Sequence, residues 1–410
     1  MEFITQHPVL VVSLVKIAVL LFAVMTALAY LTWFERKVVA HIQSRWGPYY
    51  VGAHGLLQPL ADGLKFLFKE DLTPPASDKF VYTLAPMAAL ALALSAIALI
   101  PFGPTSGPYS TVLGQPVWVV SNLSIGLLFV FAITSIGVYG VSLAGWSSNS
   151  KYPLFGGLRS SAQMISYEVS LTLSVVGVVL MAGSLSLSGI VDSQAGPFWH
   201  WNIFGFRSGG FTQIIGFLCY LTSAFAETNR VPFDLPEGET ELVGGFHTEY
   251  SSFKFAMFFM AEYGNMITVS CLATVLFLGG WLSPLPAAWT WQNFIPGTLL
   301  VLTGIYTAFD SLVVLRGIAR IQFIVFTLIL LGGGAICLHP LVAPWINGPF
   351  WFVSKVLAFI FLYVWVRGTL PRFRYDQLMS FGWKLLLPVS LVNLVVTAFF
   401  VVYPLLGTHG

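Results

Sequence analysis

Sulfur is scarce in this chain, with three cysteines in 410 residues. Cys219, Cys271 and Cys337 each stand alone in an apolar run, so they can build neither a disulfide framework nor a zinc or iron-sulfur ligand set. The seven histidines, at 7, 41, 54, 200, 247, 339 and 409, show no metal-ligand pairing either, so any redox cofactor is expected on another chain. Charge is sparse as well. Only 9% of residues are Asp, Glu, Lys or Arg, whereas a water-soluble domain carries about 25%. A net charge of +2 with scattered bases gives no electrostatic footprint for nucleic acid. The opening MEFITQHPVL lacks a basic leader region, and the apolar run behind it continues to about residue 33 before stopping at Glu35, Arg36 and Lys37. That pattern reads as a retained transmembrane helix and not a cleaved signal peptide.

Apolar residues fill the space that charge leaves. They make up 57% of the chain, and a mean hydropathy of +0.82 defines an all-α polytopic membrane protein. A crossing needs about 20 mostly apolar residues. Eight runs are obvious, at about 9–33, 81–100, 117–143, 162–182, 211–226, 255–282, 350–366 and 384–405. Two more, at 297–315 and 321–341, form a hairpin inserted over about 295–343, which is expected to be peripheral and to pack on lipid or on an accessory subunit. The expectation is therefore about ten transmembrane helices in a single membrane domain over 1–410. Ordered inner loops are expected at about 34–80, 144–161, 227–254 and 367–383.

Lysine and arginine orient the spans, because loops rich in them stay on the cytoplasmic side. Arg36, Lys37, Arg45, Lys65, Lys69 and Lys79 follow the first span, whereas 101–116 has none. The alternation continues through Lys151 and Arg159, Arg230 and Lys254, Arg316 and Arg320, and Arg367, Arg372, Arg374 and Lys384, with Arg207 as the one exception. Both termini are thus expected on the outer side.

Acid is concentrated where apolar residues give way. Seven of the 17 acids fall between 227 and 262: Glu227, Asp234, Glu237, Glu239, Glu241, Glu249 and Glu262. Arg230 and Lys254 oppose them. Pro232 and Pro236 disfavour helix in the middle of this stretch, which predicts a folded loop between two spans. Carboxylates crowded there repel one another and can exchange protons with a neighbouring charge, although a merely solvated loop has the same composition. Lys16, Glu168 and Glu262 lie inside apolar runs. Each would cost about 2.5–3.5 kcal/mol facing lipid at a helix centre, so each is expected to face the protein or water and to have a partner. In the first inner loop, Leu56, Leu57, Leu60, Leu64, Leu67 and Phe68 share one sector at helical spacing, opposite Gln58, Asp62, Lys65 and Lys69. Phe66 breaks the pattern. This is an amphipathic helix suited to the headgroup plane.

Five stretches carry a closer resemblance. They are Ala226 to Glu262, LTWFERKVVAHIQSRWGP from Leu31, GLLQPLADGLKFLFKED from Gly55, SNSKYPLFGGLRSSAQMISYE from Ser148, and VWVRGTLPRFRYDQLMSFGWKLLLP from Val364. Together they resemble, in family order, membrane-arm subunit 1 (the H subunit) of proton-pumping NADH:quinone oxidoreductase, respiratory complex I. The resemblance implies a subunit of the bacterial inner membrane that joins the membrane and peripheral arms, forms much of the quinone chamber and begins the polar path to the proton pumps. It implies quinone as substrate, with FMN and iron-sulfur clusters on partner subunits and no cofactor on this chain. Glu168, Glu227 and Glu262 would be acids of the proton path. Glu35, Arg36, Arg230, Asp234, Glu237, Glu239, Glu241 and Glu249 would line the quinone chamber and the coupling loop, and the helix at 56–69 would frame the quinone entrance. The chain departs from the family at Gly47-Pro48-Tyr49-Tyr50-Val51-Gly52, where Asn-Arg is usual in place of Tyr49-Tyr50. Competing readings are the equivalent subunit of a membrane-bound hydrogenase or other-donor oxidoreductase, a mere anchor for the soluble arm, and an independent proton-coupled transporter. Transporters often show internal repeats, and none is detectable here.

Overall fold

The computed structural model describes residues 8–106, 110–112, 115–205, 212–234, 243–286, 288–313 and 317–407. Among these, nine helices are long and apolar enough to cross a membrane, and a tenth, α7 (Ile214–Glu227), is shorter. The ten coincide with the ten apolar runs, which establishes an all-α polytopic membrane protein. Helix ends differ from the hydropathy edges for a simple reason: hydropathy marks where the chain leaves the apolar phase, while a helix continues as long as its backbone bonds are satisfied. Thus α1 (Pro8–Ile42) runs on through Glu35, Arg36 and Lys37, and α5 (Lys151–Ala182) begins a full three turns before its apolar run.

Two compact units divide the chain. One comprises Met1–Lys65, Phe102–Trp118 and Trp281–Ser354. It contains α1, a 3-10 turn at Ala53–Gly55 and most of α2 (Gln58–Phe68), the predicted amphipathic helix. A short antiparallel ladder pairs β1 (Thr111–Val112) with β2 (Gln115–Pro116). The Lys16 amine donates to the Pro116 carbonyl, which supplies the partner that a charge inside a span requires.

The hairpin helices α9 (Ile295–Val313) and α10 (Ile318–Cys337) also lie in this unit. They approach closely because Gly304 faces Leu331 and Gly334 faces Val301, where added Cβ atoms would come within 2.7 and 2.8 Å of the opposing side chain. Thr327 Oγ1 donates to Thr307 Oγ1 at 3.0 Å across the same seam. Outward-facing Leu302, Ile305, Phe309, Ile321, Leu328 and Ile329 suit lipid. The hairpin has a further contact that was not expected: Phe323 and Ala53 bury one another, flanked by Leu56 and Ala319. It therefore packs on the chain's own loop between the first two spans.

The second unit comprises Phe66–Pro101, Val119–Gly280 and Lys355–Gly410. Asp78 caps α3 (Lys79–Ile97), accepting from the amides of Phe80 and Val81. Ala85, Ala89 and Ala93 recur every four residues on α3, and this smooth face lets Gly140 and Ala144 of α4 (Gly126–Ser147) and Ala261 and Gly264 of α8 (Ser252–Phe277) approach it. Gly145 and Gly157 do the same between α4 and α5. The most enclosed span is α8, with 67% of its apolar window buried against 6% for α1.

Both ends of α8 are fastened. At its start, Ser252 Oγ donates to the carbonyls of Phe66 and Lys69, and Lys254 pairs with Asp71 at 2.9 Å. Phe66 itself packs against Phe255, which explains why it departs from the amphipathic pattern. At the other end, α6 (Leu187–Ser193) is followed by Gln194, whose amide donates to Val275 O, while Asn202 donates to Leu276 O. Lys355 donates to the carbonyls of Leu278 and Gly280 at 2.7 and 2.9 Å and lies 4.1 Å from the centre of the Trp201 ring. These partners satisfy carbonyls that every helix C-terminus leaves open.

From Lys355 onward, α11 (Ala343–Thr369) continues in this unit, where Tyr363 stacks on Phe225 of α7 (Ile214–Glu227) at 3.9 Å. The last loop between spans holds α12 (Tyr375–Phe381), and a π turn at Gly382–Leu386 leads into α13 (Leu387–Gly407). Tyr167 of α5 fixes that corner by donating to Leu378 O at 2.7 Å.

Candidate functional site

Where α7 ends, the chain leaves the helix as Thr228-Asn229-Arg230 and turns back through the cis Val231–Pro232 bond. Gln163 of α5 holds both limbs of this turn, donating to Ala226 O and Phe233 O at 2.8 Å each. Asn229 donates to Ser160 Oγ at 3.1 Å. The turn is thereby pinned to α5, and Arg230 is carried inward, with its side chain only 6% exposed.

Arg230 Nε meets Glu262 Oε1 at 2.7 Å, and its guanidinium covers the Tyr263 ring at 4.1 Å. A buried cation requires both kinds of compensation, and the two residues on α8 provide them. On the far side of the turn, Asp234 accepts from Arg372 Nη2 at 3.0 Å, and the Phe373 amide donates to Pro232 O. Among the described residues, this ion pair and this backbone bond join the acidic loop to the loop that precedes α13.

A cavity of about 60 Å³ lies beside this pair. Its polar lining is Thr134, Glu227, Thr228, Asn229, His247, Glu262 and Asn265, set among aromatic residues that include Phe258 and Phe259. One helical position on from Thr134, Ser135 donates to the Glu168 carboxylate. Glu168 in turn lies within electrostatic reach of Glu227. Burial drives the His247 imidazole down to about 4, against a smaller upward pull from Asp234, so the ring is neutral at physiological pH. Burial also raises the Tyr250 hydroxyl to about 12, a shift that its hydrogen bond with Ser147 partly opposes. His247 thus lines the cavity without adding charge, and Tyr250 backs it by packing on Phe258.

The structure therefore gathers Glu168, Glu227, Arg230, Asp234 and Glu262 into one unit. Glu249 belongs to the same unit, where its carbonyl accepts from Tyr82 OH at 2.7 Å. Glu35 and Arg36 belong to the other unit. Glu35 is 5% exposed there, and Arg36 pairs with Asp62 of α2 at 2.7 Å. Glu237, Glu239 and Glu241 lie outside the described residues. Among the described residues no group of acids, histidines and cysteines could hold a metal ion. Sequence reasoning missed Gln163, Ser135, Thr134, Asn265 and His247, since a neutral polar residue in a helix or loop carries no signal of its own. Lys355 could have been found by the rule that marked Lys16, a charge inside an apolar run.

Among the described residues, ten apolar helices and an acid-lined cavity define a polytopic membrane protein that holds ionisable groups within its helical core. A sequence model described as NADH dehydrogenase matches residues 15–398. The chain is 53% identical over 394 residues to H subunit 1 of the NADH-quinone oxidoreductase of Solibacter usitatus, covering 96% of this chain and 97% of that relative. The corresponding H subunit 2 of Koribacter versatilis is also 53% identical, over 403 residues, with the same coverage. That of Geobacter metallireducens is 43% identical over 403 residues, covering 95% of this chain and 96% of the relative. The chain belongs to the NADH dehydrogenase family and, within it, to the group formed by the H subunits of NADH-quinone oxidoreductase.

Proposed function

We propose that this chain is the membrane subunit of an NADH-quinone oxidoreductase that receives quinone from the bilayer and couples its reduction to proton translocation. Electrons would arrive from partner subunits of the peripheral arm carrying FMN and iron-sulfur clusters. Other membrane-arm subunits would continue the proton path, with both termini of this chain on the outer face of the bacterial inner membrane. The names of the relatives support NADH as the donor over the hydrogenase-type alternative.

The narrow cavity bearing Glu227 and Glu262 carries the reading. Its 60 Å³ is far below the ~300–1,000 Å³ of a small-molecule pocket, yet holds about four water positions. Water between carboxylates is a proton conductor and leaves no room for a quinone ring. The cavity is accordingly the first stage of the proton path, and the quinone binds outside it, at the residues that the family resemblance assigns to the chamber and the coupling loop: Glu35, Arg36, Asp234, Glu237, Glu239, Glu241 and Glu249. Reduced quinone takes up protons and alters the charge near this loop. Arg230, which belongs to the loop and also faces Glu262, carries that change to the cavity. Moving one charge across the membrane is worth about 2.3 kcal/mol per 100 mV, so Glu168, Glu227 and Glu262 act as successive sites.

The test is a quinone-competitive photolabel on the intact complex, together with Glu227→Gln in sealed vesicles. Labelling of the inner loops and loss of proton pumping with Glu227→Gln are expected. A chain that stays unlabelled, in a complex that pumps normally with Gln at 227, would reduce this subunit to an anchor for the soluble arm.

A further inference from the structure

We propose that the inserted hairpin is a positioning device for the quinone entrance, acting through Asp310 of α9 and His54 of the turn that introduces α2. The proposal rests on the reading of α2 as the frame of that entrance.

No residue of α2 is buried. Leu60, Leu64, Leu67 and Phe68 are 46–86% exposed, so that apolar face does not set where this helix lies. Phe66 and the Ser252 bonds hold its C-terminal end, and two polar ties hold its N-terminal half. One is the ion pair between Asp62 and Arg36 of α1. The other reaches the hairpin: His54 Nε2 meets Asp310 Oδ2 at 2.7 Å.

Asp310 is an acid on an otherwise apolar helix, flanked by Tyr306, Phe309 and Leu312, all more than 60% exposed. Such a group is costly at membrane depth without a partner, and the imidazole N–H provides one in either protonation state of the ring. The cost of separation falls on the turn as well. His54 has φ 51° and ψ 22°, a left-handed conformation unfavourable for a side chain with a Cβ, so the turn is held in place by its contacts. Those contacts converge on one ring. Tyr49 and Phe323 each lie 5.5 Å from the His54 ring, Lys37 covers Tyr49, and Trp33 donates to the His54 carbonyl. Tyr49, one of the two tyrosines standing where Asn-Arg is usual, is thereby accounted for as part of this lock. Leu57 follows closely on His54 and closes the turn by donating its amide to Val51 O.

The test uses the intact complex in its membrane. His54→Ala and Asp310→Ala are each expected to raise KM for a short-chain water-soluble quinone about three- to fivefold, as befits a partly exposed ion pair. The kcat and the oxidation of NADH by a hydrophilic acceptor should stay within twofold. The double variant should be no worse than either single one, and the exchange His54→Asp with Asp310→His should restore KM. Unchanged KM, or a fall in kcat and assembled complex with KM constant, would overturn the proposal by showing a brace without influence on the entrance. Photolabelling the wild-type complex separates the two levels. A quinone label that misses residues 34–80 overturns the entrance reading and this proposal with it, whereas labelling there with KM unmoved overturns the positioning role alone.

Discussion

Removing Arg230 should damage this protein more than neutralising its partner Glu262, and removing both should do less harm than removing Arg230 alone. At 2.7 Å the two charges attract by about 6 kcal/mol at an effective dielectric of about 20. Withdrawing them from water offsets most of that gain, so the pair as a whole contributes little net stability. The asymmetry lies in the halves. With Arg230→Met, Glu262 remains as a charge whose side chain is only 22% exposed, and breaking a buried pair in this way costs about 3–5 kcal/mol. With Glu262→Gln, the guanidinium keeps the Tyr263 ring at 4.1 Å and an amide oxygen to donate to, so the loss should be about 1–2 kcal/mol. In the double variant no charge is stranded, and it should regain at least about 1.5 kcal/mol relative to Arg230→Met. The assay is thermal inactivation of quinone reductase in the purified complex, alongside the yield of assembled complex. Single effects that add to within about 0.5 kcal/mol would refute the argument, since independent side chains behave that way.

Two further outcomes follow from the same unit. Gly140→Val places a Cβ 3.0 Å from Ala89 Cβ and should separate α3 from α4, destabilising by about 1–3 kcal/mol; the yield and melting temperature of the complex test this against Gly137→Val, where the space is open. His247 makes the stability pH-dependent: the unfolded ring takes a proton near 6.5 and the folded ring only near 4, so the contribution is complete above 6.5 and lost as pH falls to 4. Its size is up to about 3 kcal/mol, less with solvent screening, and comparing melting at pH 7.5 and 5.5 should show a smaller difference in His247→Gln.

The fold was legible because a bilayer imposes a length and a polarity on whatever crosses it. Even the short run at 211–226 corresponds to α7 (Ile214–Glu227), and lysine and arginine spacing required the hairpin as a pair. The sequence overestimated α4, predicted from 117, because residues 117–125 are apolar enough for a span yet follow the β ladder as irregular chain. At the site, Glu168 and Glu262 announced themselves as charges inside apolar runs, and Glu227 as the first acid of a crowded stretch. Their partners did not. Arg230 finds Glu262 across a loop, and His54 finds Asp310 across most of the chain, so both pairings are products of tertiary structure and leave no trace in local spacing. Gln163 is a further case, its importance lying wholly in the two carbonyls that the turn presents to it.

The fastening of α8 limits how a signal can travel. With Ser252 and Lys254 moored at one end and Gln194, Asn202 and Lys355 gripping the other, this helix cannot ratchet like a piston without breaking hydrogen bonds at both extremities. It is a fixed rail, and motion along it is left to side-chain rotamers.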